Sequence, residues 1–440
     1  MSASPVPPVG PAPPAPPKAL DGLKLVDLTT VVSGPYAASL LADLGADVIK
    51  VEPPGGDSAR SYASTEPRYV LKGMTPHILT LQRNKRSVVI NLRHDAGRET
   101  FYDLVRWADV VLDNYRPGVT ERLRIDYPSL RAVNPRVIVC SITGYGLTGP
   151  ARDRAALDAC IQAYSGLMSI TGEPEGDPLR AGALYSDLCS GMAGALGILA
   201  AVAARERTGA GQQVDISMLD VQLSMLSYTA TMHLMSGLPA QRMGNEHALH
   251  APYNAYRASD GWLFVAIVLN AHWPALVKAL GAASYPPGLP ALDGHLAYLR
   301  QERLTDRVQR LRERERINEA LSALLATGPR EGWVGLLSEA GVPAAPVNSV
   351  EEALTDPQVL SRGMIAEVAH PQGGTYRTPG NPIKLSGAGE SAGAGADSFS
   401  PPPELGADTW GVLRDVLGYD ASRIGALVAS ETVAGAGSSA

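Results

Sequence analysis

The stretch KLVDLTTVVSGPYAASLLADLGADVIKVEPP, residues 24–54, constrains the fold more than any other part of the chain. Lys24–Leu28 is an apolar run bounded by polar residues and reads as a buried strand. Pro35–Leu44 repeats alanine and leucine at helical spacing, and Asp47–Glu52 is a second strand stopped by Pro53 and Pro54. The rhythm then repeats, with strand Ser87–Leu92, helix Asp95–Trp107, strand Asp109–Asp113, a helix near Val119–Arg124 and strand Arg136–Ile142. Strands separated by helices of this length join as parallel neighbours, because a parallel pair needs a crossover of about a dozen residues. The expected fold class is α/β, built on a doubly wound parallel sheet.

Beyond residue 180 the pattern lengthens. Asp187–Arg207 reads as one long helix closed by the turn TGAGQ, followed by strand Gln212–Ile216 and helix Leu219–Ser236. DGWLFVAIVL, residues 260–269, is a strand outside the first rhythm, and Arg-rich helical sequence fills Ala297–Glu339. Residues 240–340 are therefore expected to form a second, smaller α+β domain. The large domain takes 21–225, and 345–430 returns to complete it. Asp408–Leu417 is the expected closing helix and 431–440 a frayed tail. The opening MSASPVPPVGPAPPAPP is too rich in proline to pack, so residues 1–20 are read as a disordered, partly polyproline arm.

Charge and composition exclude several functions. With 38 basic against 44 acidic side chains the net charge is -6, which argues against a nucleic-acid binder or a basic membrane-surface protein. Local basic patches for a small anion remain compatible with it. The longest uncharged apolar run, Gly191–Ala204, is short of the ~20 residues a bilayer crossing needs, so no membrane association is expected. Cys140, Cys160 and Cys189 have no CxxC spacing and cannot all pair, which suits a reducing cytoplasm and no thiolate-bound metal.

Three motifs compete for a chemical role. GYGLTG, Gly144–Gly149, spells G-x-G-x-x-G after a strand. A dinucleotide fingerprint needs a helix opening on those glycines, and here Pro150 and ARDRAALD follow. His247 and His250, beside Glu246, have a chelate-like spacing but no third ligand at a fixed distance. Asp187, in AGALYSDLCSGMAGALG, is placed as the first residue of the long apolar helix. There it is expected to accept backbone N–H bonds and to stay ionised at the positive helix end. An ionised, reachable carboxylate is a nucleophile, although on the residues alone an ordinary helix cap is the favoured reading. Asp158, in RAALDACIQAYSG, has the same two readings.

Taken together, LVDLTTVVSGPYAASLLADLGADVIKVEPPGGDSAR, QRNKRSVVINLRHDAG, ADVVLDNYRPGV, NPRVIVCSITGYGLTGP, QAYSGLMSITG, SDLCSGMAGALGILAAVAARERTGAGQQVDISMLD, GVPAAPVNS and GNPIKLSG resemble the class III CoA-transferases, the formyl-CoA and carnitine-CoA transferase-like family. The resemblance runs in order from 21 to 420, omitting residues 280–300. It implies a Rossmann-like large domain, an interlocked homodimer, and catalysis by Asp187. In that chemistry the carboxylate attacks an acyl-CoA thioester and passes through a mixed anhydride and an aspartyl-CoA thioester to a carboxylic acid acceptor. Backbone N–H groups at the helix start are expected to hold the oxyanion. No cofactor is tightly bound; coenzyme A belongs to the substrate. By position, the CoA contacts fall on Val32, Ser33, Ile90, Asn91, Leu92, Arg93, Asn114, Tyr115, Arg116, Arg122, Ala155 and Asp158. Arg93, Arg116 and Arg122 are the expected phosphate partners, and Lys85 and Arg86 either join them or are solvated strand-edge charges.

Departures narrow the resemblance. Members acting on formyl-CoA carry an arginine where this chain has Pro53, and their glycine-run loop has no counterpart near GNEHALHAPY; both argue against formyl or oxalate substrates. The family's 2-methylacyl-CoA racemases read GHD where this chain has Ala156-Leu157-Asp158, so the second base is missing. The readings are then a transferase first, a racemase-like isomerase second, and a CoA-binding protein without turnover third. A dicarboxylate such as succinate is a candidate acceptor for Arg-rich loops.

Overall fold

In this computed structural model, residues 18–285, 290–386 and 399–435 are described; most of the expected proline arm, the low-complexity loop 387–398 and residues 436–440 lie outside them. The chain divides into two compact units. One takes residues up to Ser165, Gly182–Tyr228 and those from Pro357 onward; the other takes Gly166–Ala181 and Thr229–Asp356. Two details differ from the partition read from sequence. Residues 166–181 belong with the second unit, and the return to the first begins at Pro357 rather than 345.

The first unit is built on six parallel strands: β1 (Lys24–Asp27), β2 (Asp47–Glu52), β3 (Lys85–Ile90), β4 (Val110–Asp113), β5 (Ile138–Thr143) and β6 (Gln213–Ser217). Their order is 3-2-1-4-5-6, so the sheet grows outward in both directions from β1 and β4, as a doubly wound sheet does. Side chains alternate between faces along each strand. Leu25, Val48, Val110, Leu112 and Ile138 pack with the Ser33–Asp43 and Tyr185–Thr208 helices. Val26, Ile49, Val88, Val111 and Val139 pack with Phe101, Leu104 and Val105 of the Asp95–Trp107 helix. Both faces are covered, which is why these strands read as continuous apolar runs rather than alternating ones.

The long helix spans Tyr185–Thr208 and lies close to its neighbours because its inner face is glycine. A Cβ on Gly191 would sit 2.6 Å from the Ser33 carbonyl oxygen, and one on Gly194 would sit 2.8 Å from Ile142 Cδ1. Its outer face is left apolar, with Met192 and Leu196 exposed. The helix expected over Leu219–Ser236 is two, Met218–Met225 and Ser227–Ser236, broken where Ser227 takes a φ of 49°.

The second unit has its own core. Antiparallel strands β7 (Tyr253–Arg257), β8 (Trp262–Ala266) and β9 (Ala344–Pro346) pack with the helices His272–Ala282, Arg314–Leu325 and Arg330–Glu339 around Trp273, Leu276, Leu321, Leu324, Trp333 and Leu337.

The end of the chain corrects the sequence reading most. The first unit gains the hairpin β10 (Ile365–Ala369) and β11 (Thr375–Pro379). Asp408–Leu417 does not close the fold: a helix at Ala421–Ala429 follows, its first turn capped by Asp420 accepting from the Arg423 N–H at 2.7 Å. Then β12 (Val433–Ala434) adds antiparallel to β3. The tail from 431 is thus not frayed as far as Ala434. Pairing explains this: β3 would otherwise be an edge with unpaired N–H and C=O groups. Thr432 accepts from the Asn91 N–H at 2.8 Å, and Thr409 Oγ1 accepts from the Val89 N–H at 3.1 Å.

Candidate active site

The Ser33–Asp43 helix follows β1 directly, and the Tyr185–Thr208 helix leads back toward β6. Both therefore begin at the carboxyl edge of the sheet, where ligands bind in folds of this type. Close packing at Gly191 brings Ser33 to the start of the long helix. Asp187 stands there, half-buried, as the third residue of the helix and not its first. Its pKa is pushed up to about 6 by burial and then by the neighbouring Asp158 charge, against the hydrogen-bonding Ser33 hydroxyl. The expected stabilisation of the anion by capping is overturned. The Ser186 and Asp187 N–H groups donate instead to Asp158 Oδ1, at 2.8 and 3.2 Å. Those two donors are consequently not available to an oxyanion. With a pKa near 6, Asp187 is still about nine-tenths ionised at neutral pH, and poorly solvated, which suits a nucleophile.

The loop leading into the Ser33–Asp43 helix is strained and pinned. Val31 holds a φ of 69°, a left-handed conformation that costs a β-branched residue about 1–3 kcal/mol. Asn114 exchanges two hydrogen bonds with Thr30, at 2.9 and 2.8 Å, Asp57 accepts from the Val31 N–H at 3.3 Å, and the Lys50 ammonium donates to the Thr29 carbonyl at 2.6 Å. Beneath it Lys85, fully buried, donates to Asp27 at 2.9 Å and to the Pro35 carbonyl at 3.1 Å. Burial lowers the Lys85 pKa to about 8 against the pull of Asp27. Two expectations change accordingly. Lys85 supports the loop from below and does not reach a phosphate, and the Asn114 amide is spent on Thr30. Arg86 pairs with Asp47 at 2.7 Å.

A groove of about 650 Å³ opens beside this loop, at the ends of β2 and β3 and along the segment after β4. Six of the residues expected at the CoA site line it: Ile90, Asn91, Leu92, Arg93, Tyr115 and Arg122. Among the described residues, Arg93, Arg116 and Arg122 are exposed and have no ion-pair partner, so their guanidinium groups are open to an anion. Arg116, Val32, Ser33, Asn114, Ala155 and Asp158 do not line the groove. Val32 and Ser33 are buried at the helix start and Ala155 is exposed elsewhere on the unit. Asp158 is 5% exposed, with both carboxylate oxygens bonded, so it does not offer itself to a ligand.

Sequence reasoning missed Pro54, Gly55, Val119 and Leu123 as walls of the groove. The signal was the PPGG after the acidic end of β2, which forces the chain to turn there. Glu52 also borders the groove, but its oxygens are taken by Arg60 at 2.7 Å, by Ser87 Oγ at 2.6 Å and by the Asp57 N–H at 3.0 Å. It is not free to take the ribose hydroxyls of a dinucleotide, and the GYGLTG loop opens no helix before Asp158. In the second unit His247 and His250 lie with ring centres 4.6 Å apart, and burial holds both imidazole pKa values below the usual range.

A doubly wound sheet thus carries, on one edge, a poorly solvated aspartate and an arginine-flanked groove suited to an anionic ligand. Residues 20–409 match the profile of CoA-transferase family III, and the chain belongs to that family. It is 35% identical over 417 residues to the succinyl-CoA:glutarate CoA-transferase of Mus musculus, covering 94% of this chain and 90% of that one. It is 38% identical over 370 residues to the acetyl-CoA:oxalate CoA-transferase of Acetobacter aceti, covering 83% and 89%. Among solved structures, a CAIB/BAIF family protein from Brucella suis superimposes with a TM-score of 0.77 at 34% identity, over 91% of this chain and 100% of that one. The protein is an enzyme, a CoA-transferase acting on carboxylic acids.

Proposed function

We propose that the enzyme moves CoA from an acyl-CoA to a short dicarboxylic acid, with Asp187 as the nucleophile. The observation that carries this is the placement of Asp187: half-buried, with a pKa near 6, at the carboxyl edge of the sheet that also bears the groove. The Asp187 carboxylate attacks the thioester carbonyl. The C–S bond breaks, CoA leaves as thiolate, and an acyl–aspartyl anhydride remains. The thiolate attacks the aspartyl carbonyl, releasing the donor acid as carboxylate and leaving an aspartyl-CoA thioester. The acceptor carboxylate then attacks that thioester, and the freed thiolate attacks the acceptor's carbonyl in the new anhydride. Acceptor-CoA departs and the Asp187 carboxylate is regenerated. No proton, electron or metal enters the balance, because carboxylate and thiolate serve in turn as nucleophile and leaving group. CoA phosphates fit the open guanidinium groups of Arg93 and Arg122.

A dicarboxylate is the favoured acceptor because the relative from mouse is named for glutarate; the Acetobacter aceti relative, named for oxalate, returns that acid to the candidates despite the departures at Pro53 and the glycine loop. The racemase reading is set aside, since Asp158 is buried with both oxygens engaged by the protein, and the histidine of the racemase GHD is Leu157 here. A homodimer is part of the proposal: the outer face of the long helix and the helix after β6 expose Met192, Leu196, Leu223 and Met225, an apolar surface that water disfavours. The deciding experiment incubates the enzyme with succinyl-CoA or acetyl-CoA and hydroxylamine, and maps the adduct by mass spectrometry. A hydroxamate at Asp187 is expected; its absence in an active enzyme ends the nucleophile assignment. A screen of succinate, glutarate and oxalate against monocarboxylates tests the acceptor, and equal use of monocarboxylates would remove the dicarboxylate from the proposal.

A further inference from the structure

A buried helix start needs partners for its first N–H groups. The residue that would ordinarily supply one here, Leu184 before Tyr185, has no acceptor side chain. The acceptor comes from another helix. Asp158, first residue of the Asp158–Tyr164 helix, takes the Ser186 N–H at 2.8 Å and the Asp187 N–H at 3.2 Å on Oδ1. Its Oδ2 accepts from Gln162 Nε2 at 2.6 Å, which fixes the carboxylate's orientation. The same turn is tied from a third helix, where Ser186 Oγ donates to Gln222 Oε1 at 2.7 Å, and within itself, where Ser190 Oγ donates to the Ser186 carbonyl at 2.6 Å. Asp158, Gln162, Ser186, Ser190 and Gln222 are all buried.

We propose that Asp158 is a positioning residue for CoA transfer: by capping the long helix from across the fold, it fixes the Asp187 backbone, and with it the attacking carboxylate, without touching substrate. The proposal rests on the reading of Asp187 as nucleophile. It departs from the CoA contact that resemblance implied for this residue, because Asp158 is buried and both its oxygens already accept from the protein, three bonds in all. Its charge has a second effect. The titratable groups around this turn are Tyr36 on the Ser33–Asp43 helix, Tyr185 and Cys189 on the long helix, and Asp158. Burial raises the pKa of both phenols and of the thiol, so they stay neutral near pH 7, and Asp158 is the group whose charge opposes ionisation of Asp187.

Two substitutions in the full-length enzyme separate these effects, read as kcat and KM for acyl-CoA from pH 5 to 8. Asp158→Asn keeps an acceptor for the two N–H groups and removes the charge. It should retain kcat within about threefold at pH 8 and shift the acid limb of the rate profile to lower pH. Asp158→Ala removes the cap. It should lower kcat about 10- to 100-fold, the loss that ångström-scale misplacement brings, with KM within about twofold. Full activity in Asp158→Ala, or an unmoved acid limb in Asp158→Asn, overturns the proposal. A tenfold rise in KM at unchanged kcat, in either variant, would make Asp158 a substrate contact and overturns it too. Loss of all activity in Asp158→Asn would make it a reacting group, and the positioning role would fall with it. Should Asp158→Ala not fold, the kcat and pH profile of Asp158→Asn decide. Hydroxylamine mapping on the wild type reports on Asp187 independently, so failure of the nucleophile reading is told apart from failure of the positioning role.

Discussion

At the scale of single residues, Asp187 carries a cost that the fold accepts for chemistry. A carboxyl whose folded pKa lies near 6, above its unfolded value of about 3.9, favours the folded state while protonated. That contribution is complete below about pH 4 and is lost as pH rises through about 6. Asp187→Asn, fixed neutral, should therefore abolish transfer yet be more stable than wild type at pH 8, by about 1–3 kcal/mol, and no more stable at pH 4. Denaturant melts at the two pH values check both signs. The wild-type rate should fall on the acid side with an apparent pKa near 6, since the attacking form is the carboxylate. Arg93→Ala and Arg122→Ala should each raise KM for acyl-CoA about tenfold at little cost in kcat, the loss of one charge-assisted phosphate contact. Steady-state kinetics with and without added salt would show it. Asp187 was visible in the sequence as an acid beside an uncharged apolar helix. Its raised pKa was not, because burial in the tertiary fold comes first among its causes and the charge of Asp158, 29 positions earlier, second.

At the scale of elements, most strands and helices of the parallel sheet follow from periodicity and punctuation. Asp47–Glu52 and Asp95–Trp107 occur where the pattern puts them. Two of the three misses share a cause. Lys85 and Arg86 begin β3 although charged, since Lys85 finds Asp27 inside the unit; β12 is two residues long and shows no pattern of its own; and the break at Ser227 has no glycine or proline to announce it. Lys85 and β12 are decided by partners distant in sequence; nothing in the structure explains the break at Ser227. The glycines of the long helix look permissive in sequence and are structurally strict. Gly191→Val places a branched side chain against the Ser33 carbonyl and the Tyr36 ring, so the two helices must part. A loss of about 1–3 kcal/mol is expected from such overpacking, with a fall in kcat as Ser33 leaves Asp187. A variant with unchanged melting and unchanged kcat would show that the close approach is dispensable.

At the scale of the whole molecule, the first unit is assembled from three separate stretches of chain, and the exposed apolar face of its long helix is where the proposed dimer is tested. Leu196→Glu should turn a dimer into a monomer or an aggregate in light scattering; an unchanged mass would place the interface elsewhere. Removing residues 431–440 should destabilise the first unit by about 2–3 kcal/mol, through the buried Val433 and the ladder bonds of β12. The same pairing has a bearing on synthesis. A strand completed at residue 90 waits for a mate made at residue 433, so while the intervening residues are synthesised the emerging polypeptide presents an unpaired ribbon margin to whatever surrounds the ribosome. Closure of this edge therefore waits on a segment made long after the strand it covers, and a purification tag fused after residue 440 would sit six residues beyond Ala434, the last paired position.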